Sequence, residues 1–123
     1  MSYEEEVRLK TMDAVCREND IERINLLKLD VEGNELNVLK GAGGLLSSRA
    51  IDLIQFEFGG CNIDSRTFLQ DFYYLLNPDY RIYRILQDGF APIGQYRETL
   101  EVFTTTNYLA VSKTVLPRLP QFE

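Results

Sequence analysis

Leu26-Leu27-Lys28-Leu29-Asp30-Val31-Glu32-Gly33 is a mostly apolar run that stops at a carboxylate, adds a second carboxylate and a glycine, and then changes its hydrophobic period. Asn34-Glu35-Leu36-Asn37-Val38-Leu39-Lys40-Gly41-Ala42 follows, with Leu36 and Leu39 three apart on one helical face and Val38 widening it. The combined stretch predicts a parallel strand over Ile24–Leu29 that delivers Asp30 to the carboxyl edge of a sheet, then a helix from Glu32 to about Lys40. The Leu-Leu-x-Leu character predicts burial of that strand on both faces. In open α/β sheets the carboxyl edge is where ligands bind.

Working outward, Val7-Arg8-Leu9-Lys10-Thr11-Met12 alternates apolar and polar residues and predicts a strand. It ends at Asp13, which is placed to cap a short helical piece from Ala14 to Asn19. Gly43-Gly44-Leu45-Leu46 predicts a loop or single turn returning two leucines to the core. Ile51–Phe58 is β-branched and aromatic, bounded by Gly59-Gly60, and predicts a strand. Phe68, Leu69, Phe72, Leu75 and Leu76 have helical spacing behind Asp64-Ser65, and Asn77-Pro78-Asp79 ends that helix. Tyr80–Ile85 predicts a further strand. An irregular segment follows the Asp88-Gly89 turn, and Asn107–Ser112 is the last strand. Pro117 and Pro120 mark a non-helical tail. Alternating strands and helices predict a mostly parallel α/β sheet, and the absence of a helix between the last two strands predicts an antiparallel pair at one edge.

Composition sets bounds. A chain of 123 residues, 45% of them hydrophobic, is one domain or part of one and can bury a core. Its formal net charge of -6, with no stretch rich in Lys and Arg, argues against a nucleic-acid partner. No apolar run approaches the ~18 residues that cross a bilayer. The acidic start is unlike a signal peptide, so a cytoplasmic, non-membrane protein is expected. The two cysteines, Cys16 and Cys61, are expected as free thiols. The chain has no histidine. That removes a histidine base, a serine triad and any His-ligated metal from its own chemistry, and no spacing matches a metal loop.

The words Lys10-Thr11-Met12-Asp13, Ile24–Gly33 with Glu35, Val38-Leu39-Lys40-Gly41-Ala42, Ile54–Gly59 and Asn107-Tyr108-Leu109-Ala110 together resemble the second half of an FkbM-type methyltransferase. The resemblance implies a Rossmann-like class I methyltransferase sheet that uses S-adenosylmethionine (SAM) to methylate a hydroxyl of a small molecule or sugar. It also implies that residues 1–123 form a single C-terminal portion of that domain, truncated at its N-terminal half. The family's first two strands and its glycine-rich turn, commonly G-x-G-x-G, have no counterpart here. On this reading the first strand packs elsewhere, and the open edge of the Leu26–Leu29 strand pairs with another chain, giving a homodimer. The alternative is a non-catalytic binding or assembly module.

The candidate site residues carry two readings each. Asp30 is, as the resemblance implies, a catalytic and cofactor-binding acid beside the sulfonium, or the N-cap of the following helix. The resemblance implies that Asp13 accepts from the adenine amino group; the local reading is that it caps its own helix. Glu32 lines the acceptor pocket, or serves the helix dipole. Glu57 is a catalytic base, since a neighbouring Asp30 carboxylate would raise its pKa. Lys28, inside an apolar strand, calls for a partner such as Glu57 or for a surface position at the sheet margin. Cys61 is expected to be inert.

Overall fold

A computed structural model of the chain describes residues 2–122. Helix α1 spans Met12–Glu18, strand β1 Ile24–Leu29, α2 Glu35–Lys40, α3 Gly43–Ser47, β2 Ile51–Phe58, α4 Cys61–Ser65 and α5 Leu69–Leu76. Strand β3 spans Tyr80–Leu86, β4 Gly89–Pro92 and β5 Thr106–Ser112. Short 3-10 turns occupy Glu98–Leu100, Leu116–Arg118 and Pro120–Phe122, the last two within the proline-marked tail.

The five strands form one α/β sheet in the order β1-β2-β5-β3-β4. Only β1 and β2 pair in parallel; the β2–β5, β5–β3 and β3–β4 pairs are antiparallel. The sheet is therefore mixed, which corrects the expectation of a mostly parallel one. The reason is topological. Helical crossovers make β1, β2 and β3 run the same way, but the crossover through α4 and α5 leaves a one-strand gap between β2 and β3. Strand β5 fills that gap running in the opposite sense. The expected antiparallel pairing of the last two long strands is present, with Ile82 opposite Ala110, but it lies inside the sheet, and β4 forms the edge.

Pleating divides the core. Ile54, Phe56, Ile82, Tyr108 and Ala110 meet Leu36, Leu39, Leu45, Leu46, Phe72 and Leu76 from the helices. Phe56 stacks between Phe72 and Tyr108 at centroid distances of 4.8 and 5.5 Å. The alternate residues Tyr83, Leu109 and Val111 pack under Val115 and Phe122 of the tail.

Five local expectations change. The helix expected to start at Asp64-Ser65 is split into α4 and α5, because Arg66 (φ +55°) leaves the helical region, and the segment after Asp88-Gly89, expected as irregular, forms β4. Residues 2–11 contain no strand or helix, and Val7 and Leu9 are 68% and 90% exposed. Alternation makes a strand only where a partner ladder exists, and this arm meets none among the described residues. Strand β1 is not buried on both faces: Leu29 is buried, but Leu26 is 54% exposed. Its outer edge pairs with no strand among the described residues. Finally, α2 starts at Glu35 rather than Glu32, because Glu32 (φ +52°) and Gly33 (φ +101°) leave the helical region.

Candidate functional site

The parallel register sets Leu29 beside Phe56, so the next residues, Asp30 and Glu57, emerge together at the carboxyl ends of β1 and β2. The loop after Asp30 is tied down from below. Glu35, 2% exposed, accepts from the backbone N–H groups of Val31 at 3.2 Å and Gly33 at 3.0 Å. A carboxylate that accepts backbone donors satisfies its own burial. That tie holds Glu32 in a left-handed conformation a glutamate rarely adopts. Gly33 has no alternative: a Cβ there would stand 2.6 Å from the Cys61 carbonyl oxygen.

The second wall is the turn from β2 into α4. Asn62, also 2% exposed, accepts from the Gly59 N–H at 2.9 Å and donates to Thr67 Oγ1 at 2.8 Å. Gly59 lets the 103–106 segment approach, since a Cβ would fall 2.6 Å from Thr105 Cα. Across the gap the Cys61 thiol donates to Glu32 Oε2 at 3.3 Å, which joins the two loops.

The charges are one-sided. Partial burial pushes the Glu57 carboxyl above its ordinary range, and Asp30, Glu32 and Glu35 push it further in that order. The direction matches the expectation from Asp30, but desolvation is the larger cause. The bond to Glu32 raises the Cys61 thiol, which keeps it protonated and poorly nucleophilic. The ion pairs among the described residues, Lys10–Glu18, Arg23–Asp52 and Arg49–Asp79, all lie outside this cluster. Lys28 is exposed beside Gln55 in the register and forms no pair with Glu57. No group of three or more Cys, Asp or Glu side chains among the described residues is arranged to hold a metal.

Asp13 sits elsewhere. Its Oδ2 accepts from Gly44 N–H at 2.7 Å and its Oδ1 from Leu45 N–H at 3.0 Å. It caps α3, not its own helix, whose N-terminus is capped by Thr11 Oγ1 through Ala14 N–H. It is not among the charges that perturb Glu57 or Cys61. Asp30 is not the cap of α2 either; that place belongs to Asn34. Tyr108 is fully buried against Phe56, and Tyr96 donates to Glu101, so both read as packing residues.

Sequence reasoning brought Asp30, Glu32 and Glu57 to one edge, and the structure assembles them there. It missed the ties made by Glu35 and Asn62. Their only signal was a polar residue two positions after a glycine in the turn past each strand.

A family model described as the Methyltransferase FkbM domain matches residues 2–82, which covers α1 through α5 and reaches into β3. No curated protein and no solved structure matches the chain.

Proposed function

The chain belongs to the FkbM methyltransferase family, and from that premise we propose that its acidic edge is the reacting side of a SAM-dependent O-methyltransferase site on a Rossmann-like sheet. The observation that carries the reading is the convergence of Asp30, Glu32 and Glu57 at the ends of parallel strands, with their negative charge unbalanced by any ion pair among the described residues. An uncompensated acidic cluster suits a cationic ligand, and the sulfonium of SAM is one. SAM bound there would supply the methyl group. Asp30 would hold the cationic end. Asp13, whose two oxygens already serve the amides of α3, would reach the adenine only with its remaining acceptor capacity. The glycine-rich turn that receives the methionine end in this family is not among these residues, so the fit rests on the acidic side alone.

The chain's own contribution is acid–base and positional. Glu57 takes the proton of the acceptor hydroxyl as that oxygen becomes nucleophilic, and its raised pKa makes it the better base. Glu32 lines the acceptor side, held in place by Glu35 and Cys61. Alignment of the reacting groups supplies most of the acceleration. A small hydroxylated molecule or sugar is the proposed acceptor; neither nucleic acid nor a membrane is proposed as a partner. Among the described residues no helix is long and apolar enough to cross a membrane. The free thiols of Cys16 and Cys61 support a cytoplasmic setting.

The test is S-adenosylhomocysteine release from SAM in the presence of small hydroxylated acceptors. Glu57→Gln should lower the rate about a hundredfold. The wild-type rate should fall as pH drops through the raised Glu57 pKa, and that limb should vanish in the variant. No product, or equal rates in both proteins, overturns the reading.

One observation favours a second reading, that of an assembly module: the open outer edge of β1, with Leu26 exposed beside it. On that reading two copies of the chain join through β1.

A further inference from the structure

Far from β1, the segment after β4 lines an open recess of about 230 Å³ together with Arg84 of β3 and Ala91 and Pro92 of β4. Arg84, Arg97, Gln95 and Thr99 supply its polar lining, and Ile93 and Leu100 are among its apolar walls. Arg84 lies on β3 opposite Tyr108 of β5 and Ala91 of β4. Its Nε is buried without a hydrogen-bond partner, as is the Tyr108 hydroxyl across the strand. Neither arginine belongs to an ion pair among the described residues. The acid best placed by sequence to neutralise Arg97 is already committed: Glu101 accepts from Leu69 and Gln70 N–H at the start of α5 and from Tyr96 Oη. Glu98, the other acid nearby, is exposed.

Two arginines outside any ion pair among the described residues, both lining one recess, are unexpected in a chain of net charge -6. A guanidinium nitrogen buried without an acceptor is costly, and a bound acceptor removes that cost. We propose that this recess is a binding site for a phosphate-class oxyanion, with a small phosphate monoester as its occupant. Two guanidinium forks match a dianion in charge and offer paired N–H donors in the geometry that phosphate oxygens accept. The Thr99 hydroxyl adds a donor. Ile93 and Leu100 give an organic body apolar surface to cover. The site lies outside the acidic cluster and does not rest on the methyl-transfer reading. Strand β3 runs in the same sense as β2 and stands two places from it in the sheet, about 10 Å by ordinary strand spacing.

The test is calorimetric titration of the full chain, without SAM, using inorganic phosphate, glycerol phosphate and acetate in turn. Both phosphates should bind more tightly than acetate, and glycerol phosphate more tightly than inorganic phosphate. Arg84→Gln and Arg97→Gln should each weaken phosphate binding about tenfold or more, whereas Arg17→Gln on α1 should leave it unchanged. Arg97 is exposed, so its variant keeps the fold even if the Arg84 variant does not. A folded wild-type chain that binds neither phosphate, or an Arg97 variant that binds like the Arg17 variant, overturns the proposal.

Discussion

Glu32 is the residue on which the two walls of the acidic edge meet. Its left-handed backbone is held by Glu35, and its carboxylate accepts the Cys61 thiol at 3.3 Å. The thiolate that alkylation needs would face Glu32, Glu57 and Asp64, and all three raise the thiol. The hydrogen bond to Glu32 is the largest cause, and an amide in its place accepts more weakly and carries no charge. Glu32→Gln should therefore shift the pH profile of Cys61 alkylation to lower pH, measured with iodoacetamide on a Cys16→Ala background. An unshifted profile would mean the contact is not made in solution. The positions of Asp30 and Glu57 were legible in the sequence because a strand's end is written as a break in an apolar run. The role of Glu35 was not, because it depends on the φ angles of residues 32 and 33. A glutamate in the left-handed region has no signature of its own, and only the glycine beside it hints at the turn.

Elements with a continuous pattern were readable: the Ile51–Phe58 strand has the predicted bounds, because every residue of it faces packed core or a paired neighbour. Elements defined by distant partners were not. Helix α3 holds only five residues, Gly43–Ser47, two of them glycines, and on propensity alone it should not form. It forms because Asp13, some thirty positions earlier, accepts from two of its first-turn amides. Asp13→Ala should accordingly destabilise the protein by about 1–2 kcal/mol, measured as a lowered urea midpoint with unchanged slope. A variant as stable as wild type would remove Asp13 from the capping account. The arm before α1 fails in the opposite way. Its alternation is real, but no ladder receives it.

At the scale of the molecule, strand directions were legible from the intervening helices, and adjacency was not. Placing β5 between β2 and β3 depends on a gap that no local pattern records. The same sheet leaves the outer edge of β1 unpaired and Leu26 exposed beside it. On the assembly reading, sedimentation should find a dimer that Leu26→Lys, which sets a charge against that edge, converts to monomer. A wild-type monomer would contradict that reading and leave the acidic site untouched. We propose that the unbalanced negative charge of that site receives the sulfonium of SAM. Calorimetric titration of SAM into the full chain tests it most directly. The wild-type protein should bind SAM, and Asp30→Asn should weaken that binding about tenfold or more. No binding by the folded wild-type chain, or binding that Asp30→Asn leaves unchanged, would contradict it.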